Sequence, residues 1–153
     1  MSCAQAWLAD AAAGGPPEIL ALLRSHPRFQ DVVLDIAEPE AKQVFDRRGG
    51  NTRNTDVQVV ARDALGMVAI SVEAKAGEPF GETVAEALVD GVEVRRDRPR
   101  SAKLDRVDEL ARSILPAARR GTPSLGGLRY QLLTAAAGAL AWALRQGSRC
   151  AVL

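Results

Sequence analysis

The chain has 153 residues, enough for one domain with a core of its own. Hydrophobic residues make up 47% and charged residues 25%, the balance of an ordinary globular protein, and a formal net charge of +1 does not by itself call for a polyanion. The single histidine, His26, argues against a zinc hydrolase with several histidine ligands, a histidine-centred nuclease and a Ser-His-Asp hydrolase, so any catalysis falls to carboxylates and lysines.

Residues 4–13 are Ala-rich and read as a helix. Gly14-Gly15-Pro16-Pro17 stops it, and the prolines open a second helix in PPEILALLRSH. DVVLDIA, 31–37, reads as a first strand ended by Pro39, with QVF, 43–45, as a short extended piece. DRRGGNTRNT, 46–55, reads as a polar loop. Two apolar strands follow, about 56–62 and 67–74, joined at Asp63-Ala64-Leu65-Gly66. ETVAEALVD reads as a short helix. SAKLDRVDELARSIL puts Leu104, Val107, Leu110, Ala111 and Ile114 on one helical stripe. GTPSLGG reads as a loop, and LRYQLLTAAAGALAWALRQG as a long helix closed by Gly147. RCAVL opens a last strand that the end of the sequence is expected to truncate. This order predicts a single α/β domain over 1–153, a mixed sheet covered by helices. A right-handed crossover should join the hairpin's second strand to the last one.

Cys3 and Cys150 lie near opposite ends without metal-ligand spacing, which points to a reducing cytoplasm. No basic-then-apolar leader and no GxxxxGK phosphate loop occur. The apolar segment 132–144 is shorter than the roughly 20 residues a bilayer needs, so no membrane partner is expected.

The hairpin carries acids at its open end. A turn centred between Ala64 and Leu65 sets Asp56 opposite Glu73, and directly opposed residues share a face with Cβ atoms roughly 4.5–5.5 Å apart. Lys75 shares the face of Glu73, because side chains alternate along a strand. A slip of one residue would turn Asp56 away. Two carboxylates so close repel unless they are solvated, one is protonated, or a cation lies between them. Mg²⁺ takes one or two carboxylates, waters and a phosphate. Such an ion would stabilise charge on the phosphate while a lysine orients the attacking water. The expectation is metal-dependent phosphodiester hydrolysis with Mg²⁺ or Mn²⁺; the plain alternative is a solvated hairpin end.

Asp56 with Glu73-Ala74-Lys75 at the end of an apolar strand resembles the PD-(D/E)XK nuclease superfamily. The resemblance implies a three-layer α/β/α fold with a mixed central sheet: a restriction endonuclease-like αβββαβ core, with extra helices before the long helix. It implies Asp56 and Glu73 as Mg²⁺ ligands, the Ala74 carbonyl as a third and Lys75 as the catalytic lysine. Thr55 stands where the motif's name puts Pro. Glu40-Ala41-Lys42 repeats the ExK pattern, but it follows Pro39 and has no Asp across a turn.

The long helix should return with its N-terminus beside Glu73 and Lys75, which brings Arg129, Tyr130 and Gln131 near. Related nucleases often carry a helical Gln there that contacts the lysine or the substrate, so Gln131 is a candidate, with an ordinary surface Gln as the alternative. Glu18, the acid of the second helix, is a possible auxiliary ligand or simply a first-turn acid suited to the helix dipole. Glu78 reads as a loop acid within reach of a second metal. Arg47, Arg48, Arg53 and Asn54, on the loop before Asp56, are candidates for nucleic-acid contact, as is Arg129. From Arg95 to Arg129 ten basic residues face four acidic ones, a run that could hold a phosphate backbone or be a solvated helix face.

The sequence thus predicts a nuclease acting on nucleic acid, with DNA favoured over RNA and the choice between them left open, in the cytoplasm. Paired cuts in duplex DNA would suit a homodimer. The alternatives are a non-catalytic nucleic-acid-binding or assembly module of the same fold, or an unrelated binding protein with solvated acids.

Overall fold

The structure is a computed structural model that describes residues 3–10, 14–48, 52–75, 77–114 and 125–153. The GTPSLGG loop and the Gly-Gly of the 46–55 loop lie largely outside the described residues.

Strands β1 (Val33–Gln43), β2 (Arg53–Asp63), β3 (Gly66–Val72) and β4 (Ala151–Val152) form one sheet in that order. The first three pair antiparallel, and β4 runs parallel to β3. Among the described residues five α-helices surround them: α1 (Cys3–Asp10), α2 (Pro17–Arg24), α3 (Val84–Asp97), α4 (Lys103–Ile114) and α5 (Tyr130–Arg145).

The hairpin turn forms for local reasons. The Asp63 carboxylate accepts the Leu65 N–H at 2.8 Å, and Gly66 takes a φ of 119° that a side chain would resist. Arg28 donates to the other oxygen of Asp63 at 2.7 Å, which ties the turn to the chain leading into β1. That turn fixes the ladder from Asp63↔Gly66 to Val57↔Val72, the register expected from the sequence.

Alternation along β2 and β3 then sorts the core into two faces. Val57, Val59, Ala61, Val68 and Ile70 pack with Trp7 of α1, Leu23 of α2 and Phe29. Val60 and Ala69 turn the opposite way, onto Trp142 and Ala143 of α5. Helices therefore cover both faces. Val57, Val59 and Val68 are fully buried, worth about 1.5–3 kcal/mol each relative to exposure.

A third cluster, Val84, Ala87, Val107 and Leu133, joins α3, α4 and α5 beside the sheet. Gly91 permits the α3–α4 crossing, because a Cβ there would lie 3.0 Å from Leu104 Cα. A capping box starts α3: Glu86 N–H donates to Thr83 Oγ1 at 3.2 Å, and Thr83 N–H donates to Glu86 Oε2 at 2.7 Å. Gly147, with φ 70°, ends α5, and Ser148 then donates its hydroxyl to Met67 O of β3 at 2.7 Å. That anchor delivers Ala151 and Val152 beside Ala69 and Ile70.

β3 ends at Val72 and not at the expected 74, so Glu73 and Lys75 follow the strand, and three larger boundary differences separate the structure from the sequence reading. β1 runs on to Gln43 through Pro39, where a strand end was expected. As an edge strand it tolerates the missing N–H, and it absorbs the irregularity with a register shift between Leu34 and Ile36 and a φ of 53° at Glu40. β2 starts at Arg53, inside the expected loop, because it pairs with that longer β1. α3 continues past Asp90 to Asp97, making one 14-residue helix of the expected short one. Among the described residues no helix is long and apolar enough to cross a membrane.

Candidate functional site

Glu73 follows β3 directly, and the ladder's last pair, Val57↔Val72, sets it across from Asp56. Asp56 Oδ2 accepts the backbone N–H of Ala74 at 2.7 Å, so the Asp56 carboxylate reaches the strand end that carries Glu73. Lys75 Nζ lies 3.8 Å from Glu73 Oε1 and 3.9 Å from Glu78 Oε2. The hairpin thus brings Asp56, Glu73, Ala74 and Lys75 to one end of the sheet.

Helix α5 closes on this end from its first turn. Gln131 Nε2 donates to Glu73 Oε1 at 2.6 Å. Gln131 thus contacts Glu73, where the resemblance implied a contact with the lysine or the substrate. Thr134, one turn on, donates its hydroxyl to Gln131 O at 2.9 Å and accepts Arg53 Nη1 at 2.9 Å. Arg53 Nη2 in turn donates to Glu73 Oε2 at 2.6 Å. The side chains of Arg53 and Glu73 are each only 9% exposed.

Arg53 thus differs from its expected setting on a flexible loop. It is a strand residue, and its guanidinium is turned inward onto Glu73 and α5. Its pairing with Gln43 across β1 and β2 sets that position. Reading the sequence missed this role because the partner register is long-range. One signal was available: Gln131 and Thr134, polar residues three apart in an apolar helix, share a helix face.

The other candidates are placed more loosely. Asn54 is exposed in β2 opposite Lys42. Arg129, at the N-cap of α5, donates to Gly81 O at 2.8 Å, which fixes the loop before α3. Glu18 is exposed in the first turn of α2, and among the described residues no hydrogen bond or ion pair joins it to the pair. Arg48 binds Glu109 on α4 at 2.9 Å. In the basic run, Arg95 pairs with Asp105 at 2.7 Å, Lys103 with Glu82 and Asp90, and Arg106 with Asp46. Much of that run is therefore neutralised locally, while Arg96, Arg98 and Arg100 stay exposed. A groove of about 320 Å³, lined by Ile19, Leu22, Val72, Phe80 and Leu132, opens beside Glu73.

The donor set suits a hard cation in chemistry: two carboxylates and the Ala74 carbonyl on adjoining strand ends, all oxygen. Among the described residues no three His, Cys, Asp or Glu side chains gather as a metal cage. Glu40, which the register puts on the far side of Asp56, does not complete one. Mg²⁺ does not need one, since it keeps several waters. Asp56 has one oxygen that no described protein group engages. Glu73 has both oxygens engaged, each by one hydrogen bond, so a cation bound to it would lie beside the Arg53 guanidinium.

A family model described as a domain of unknown function, DUF6946, matches residues 1–153. No curated protein and no solved structure matches the chain.

Proposed function

The chain belongs to the DUF6946 family, whose description names no activity, and we propose from its site that it is a metal-dependent nuclease hydrolysing phosphodiester bonds of nucleic acid, DNA rather than RNA. One observation carries the reading: the register that sets Asp56 across from Glu73, with Lys75 Nζ 3.8 Å from the Glu73 carboxylate. The resemblance to PD-(D/E)XK nucleases assigns roles to these positions, and the helix–strand–strand–strand–helix–strand order is in keeping with it.

Asp56, Glu73 and the Ala74 carbonyl would hold Mg²⁺ or Mn²⁺. The bound ion would supply stabilisation of charge on the phosphate and favour a nucleophilic water. Lys75 orients that water and offsets charge as it attacks. Gln131 fixes the Glu73 carboxylate through its amide, as a residue behind a ligand does. The reading carries a cytoplasmic location, and paired cuts in duplex DNA would suit a homodimer.

A second reading rests on the Arg53–Glu73 ion pair. A carboxylate already neutralised by arginine can be structural, as in a non-catalytic nucleic-acid-binding or assembly module of this fold.

The test incubates the protein with single- and double-stranded DNA and RNA, with Mg²⁺ or Mn²⁺, beside Lys75→Ala and Glu73→Gln. Cation-dependent cleavage that both substitutions abolish is expected. Cleavage that survives them overturns the mechanism, and binding without cleavage favours the module.

A further inference from the structure

Arg53 is held unusually well for a residue near a proposed cation site. Its guanidinium spans Glu73 Oε2 at 2.6 Å and Thr134 Oγ1 at 2.9 Å. Its stem passes Gly138, where a Cβ would lie 3.5 Å from Arg53 Cδ. The pair is nine-tenths buried on both sides, so solvent screens it weakly. Arginine cannot shed its proton in a protein, so this charge leaves Glu73 only by moving. A divalent ion on Glu73 and a guanidinium on the same carboxylate would be like charges in close contact.

Resting on the proposed function, we propose that Arg53 is an exchange residue: it neutralises Glu73 while the cation site is empty, and passes to a nucleic-acid phosphate when a divalent ion takes Glu73. The chemistry of both anions favours this. A guanidinium fits a carboxylate and a phosphate with the same planar fork. Thr134 is the pivot, because it holds Nη1 while Nη2 is the contact that must break. The exchange couples the two ligands. A cation frees Arg53 for phosphate, and a phosphate that takes Arg53 frees Glu73 for the cation. By linkage each must tighten the other by the same factor.

The test is calorimetric titration with Mn²⁺, with and without an oligonucleotide whose phosphorothioate linkages resist cleavage. It compares the wild type with Arg53→Ala, Thr134→Val and Glu73→Gln. The wild type should bind Mn²⁺ weakly alone and roughly tenfold or more tighter with the oligonucleotide, within the usual range of such coupling. Arg53→Ala should bind Mn²⁺ tightly without the oligonucleotide and lose the coupling. Thr134→Val removes only the pivot hydroxyl and should shift Mn²⁺ affinity the same way, so it decides the matter should Arg53→Ala fail to fold. If Arg53→Ala or Thr134→Val leaves Mn²⁺ affinity unchanged or weaker while Glu73→Gln abolishes uptake, the exchange is wrong and the cation site stands. If uptake is absent in the wild type, or unchanged in Glu73→Gln, the site reading fails and takes the exchange with it.

Discussion

The Asp56 carboxylate accepts the backbone N–H of Ala74 at 2.7 Å, just beyond the last paired residues of the hairpin. Asp56 therefore has a structural task that can be separated from metal binding. Asp56→Asn keeps an oxygen for that N–H and loses the charge. Asp56→Ala loses both. Thermal unfolding should show Asn close to wild type and Ala less stable by roughly 1 kcal/mol, the usual worth of such a bond. Both should lose cation-dependent cleavage by about 100-fold or more, the scale of a missing electrostatic group. Cleavage by Asp56→Asn at the wild-type rate would remove this acid from the ligand set.

Gln131 tests how far the site depends on its support. Its Nε2 holds Glu73 Oε1 at 2.6 Å, on the opposite oxygen from Arg53. Gln131→Leu keeps most of the volume and removes the donor. Mn²⁺ affinity or cleavage should fall by about 10–100-fold, as for other groups that orient a ligand. A melting temperature near wild type would show that the loss is one of orientation. A variant as active as wild type would make Gln131 an ordinary helix residue.

The hairpin was legible because its cues are local. An Asp, two turn residues and a Gly fix the register, and the register alone sets Asp56 across from Glu73. Gln131 was legible through topology, since the helix that feeds a parallel strand must start at the far end of its neighbour. β1 was not legible. Pro39 signals a strand end in sequence, yet at a sheet edge its missing N–H costs nothing to the ladder. Arg53 was misplaced for the same reason. Its polar neighbours read as a loop, and β2 reaches back to Arg53 only because β1 runs on to Gln43. The errors in the strands therefore gathered where structure depends on pairing across the polar 46–55 connection.

The acid limb of stability should depend on Asp63. The hydrogen bond from Arg28 holds its carboxyl below the usual range, helped by the Leu65 N–H. The bond from Arg62 does the same for Asp35. A carboxyl with a lowered folded pKa gives stability that is complete above the unfolded value, about 3.9. That stability is lost as pH falls through the lower folded value. Melting temperature should thus be flat near neutrality on account of these two groups and fall below about pH 4. Asp63→Asn should make that fall shallower while lowering stability at pH 7. An unchanged slope from pH 5 to pH 2 would show that Asp63 does not drive acid unfolding.

Gly138 should resist the change that helix propensity favours. In an open helix interior Gly→Ala gains about 1 kcal/mol. Here a Cβ would lie 2.5 Å from Gln43 Oε1 and 3.5 Å from Arg53 Cδ. Gln43 is fully buried, and neither end of its amide finds a hydrogen-bond partner among the described residues. The amide must yield in a packed space, and such crowding typically costs about 1–3 kcal/mol. Gly138→Ala should therefore destabilise the protein in urea titrations. Gln43→Ala removes the obstacle, so in that background Gly138→Ala should be neutral or stabilising by up to about 1 kcal/mol. The double-mutant cycle then gives a coupling energy of about 1–3 kcal/mol between α5 and β1. The Arg53 stem would meet the new Cβ at 3.5 Å, an ordinary van der Waals contact, so Gly138→Ala should leave the Arg53–Glu73 pair in place. A cycle with no coupling would mean that the amide moves aside freely and that Gly138 is not required for the close approach of the helix.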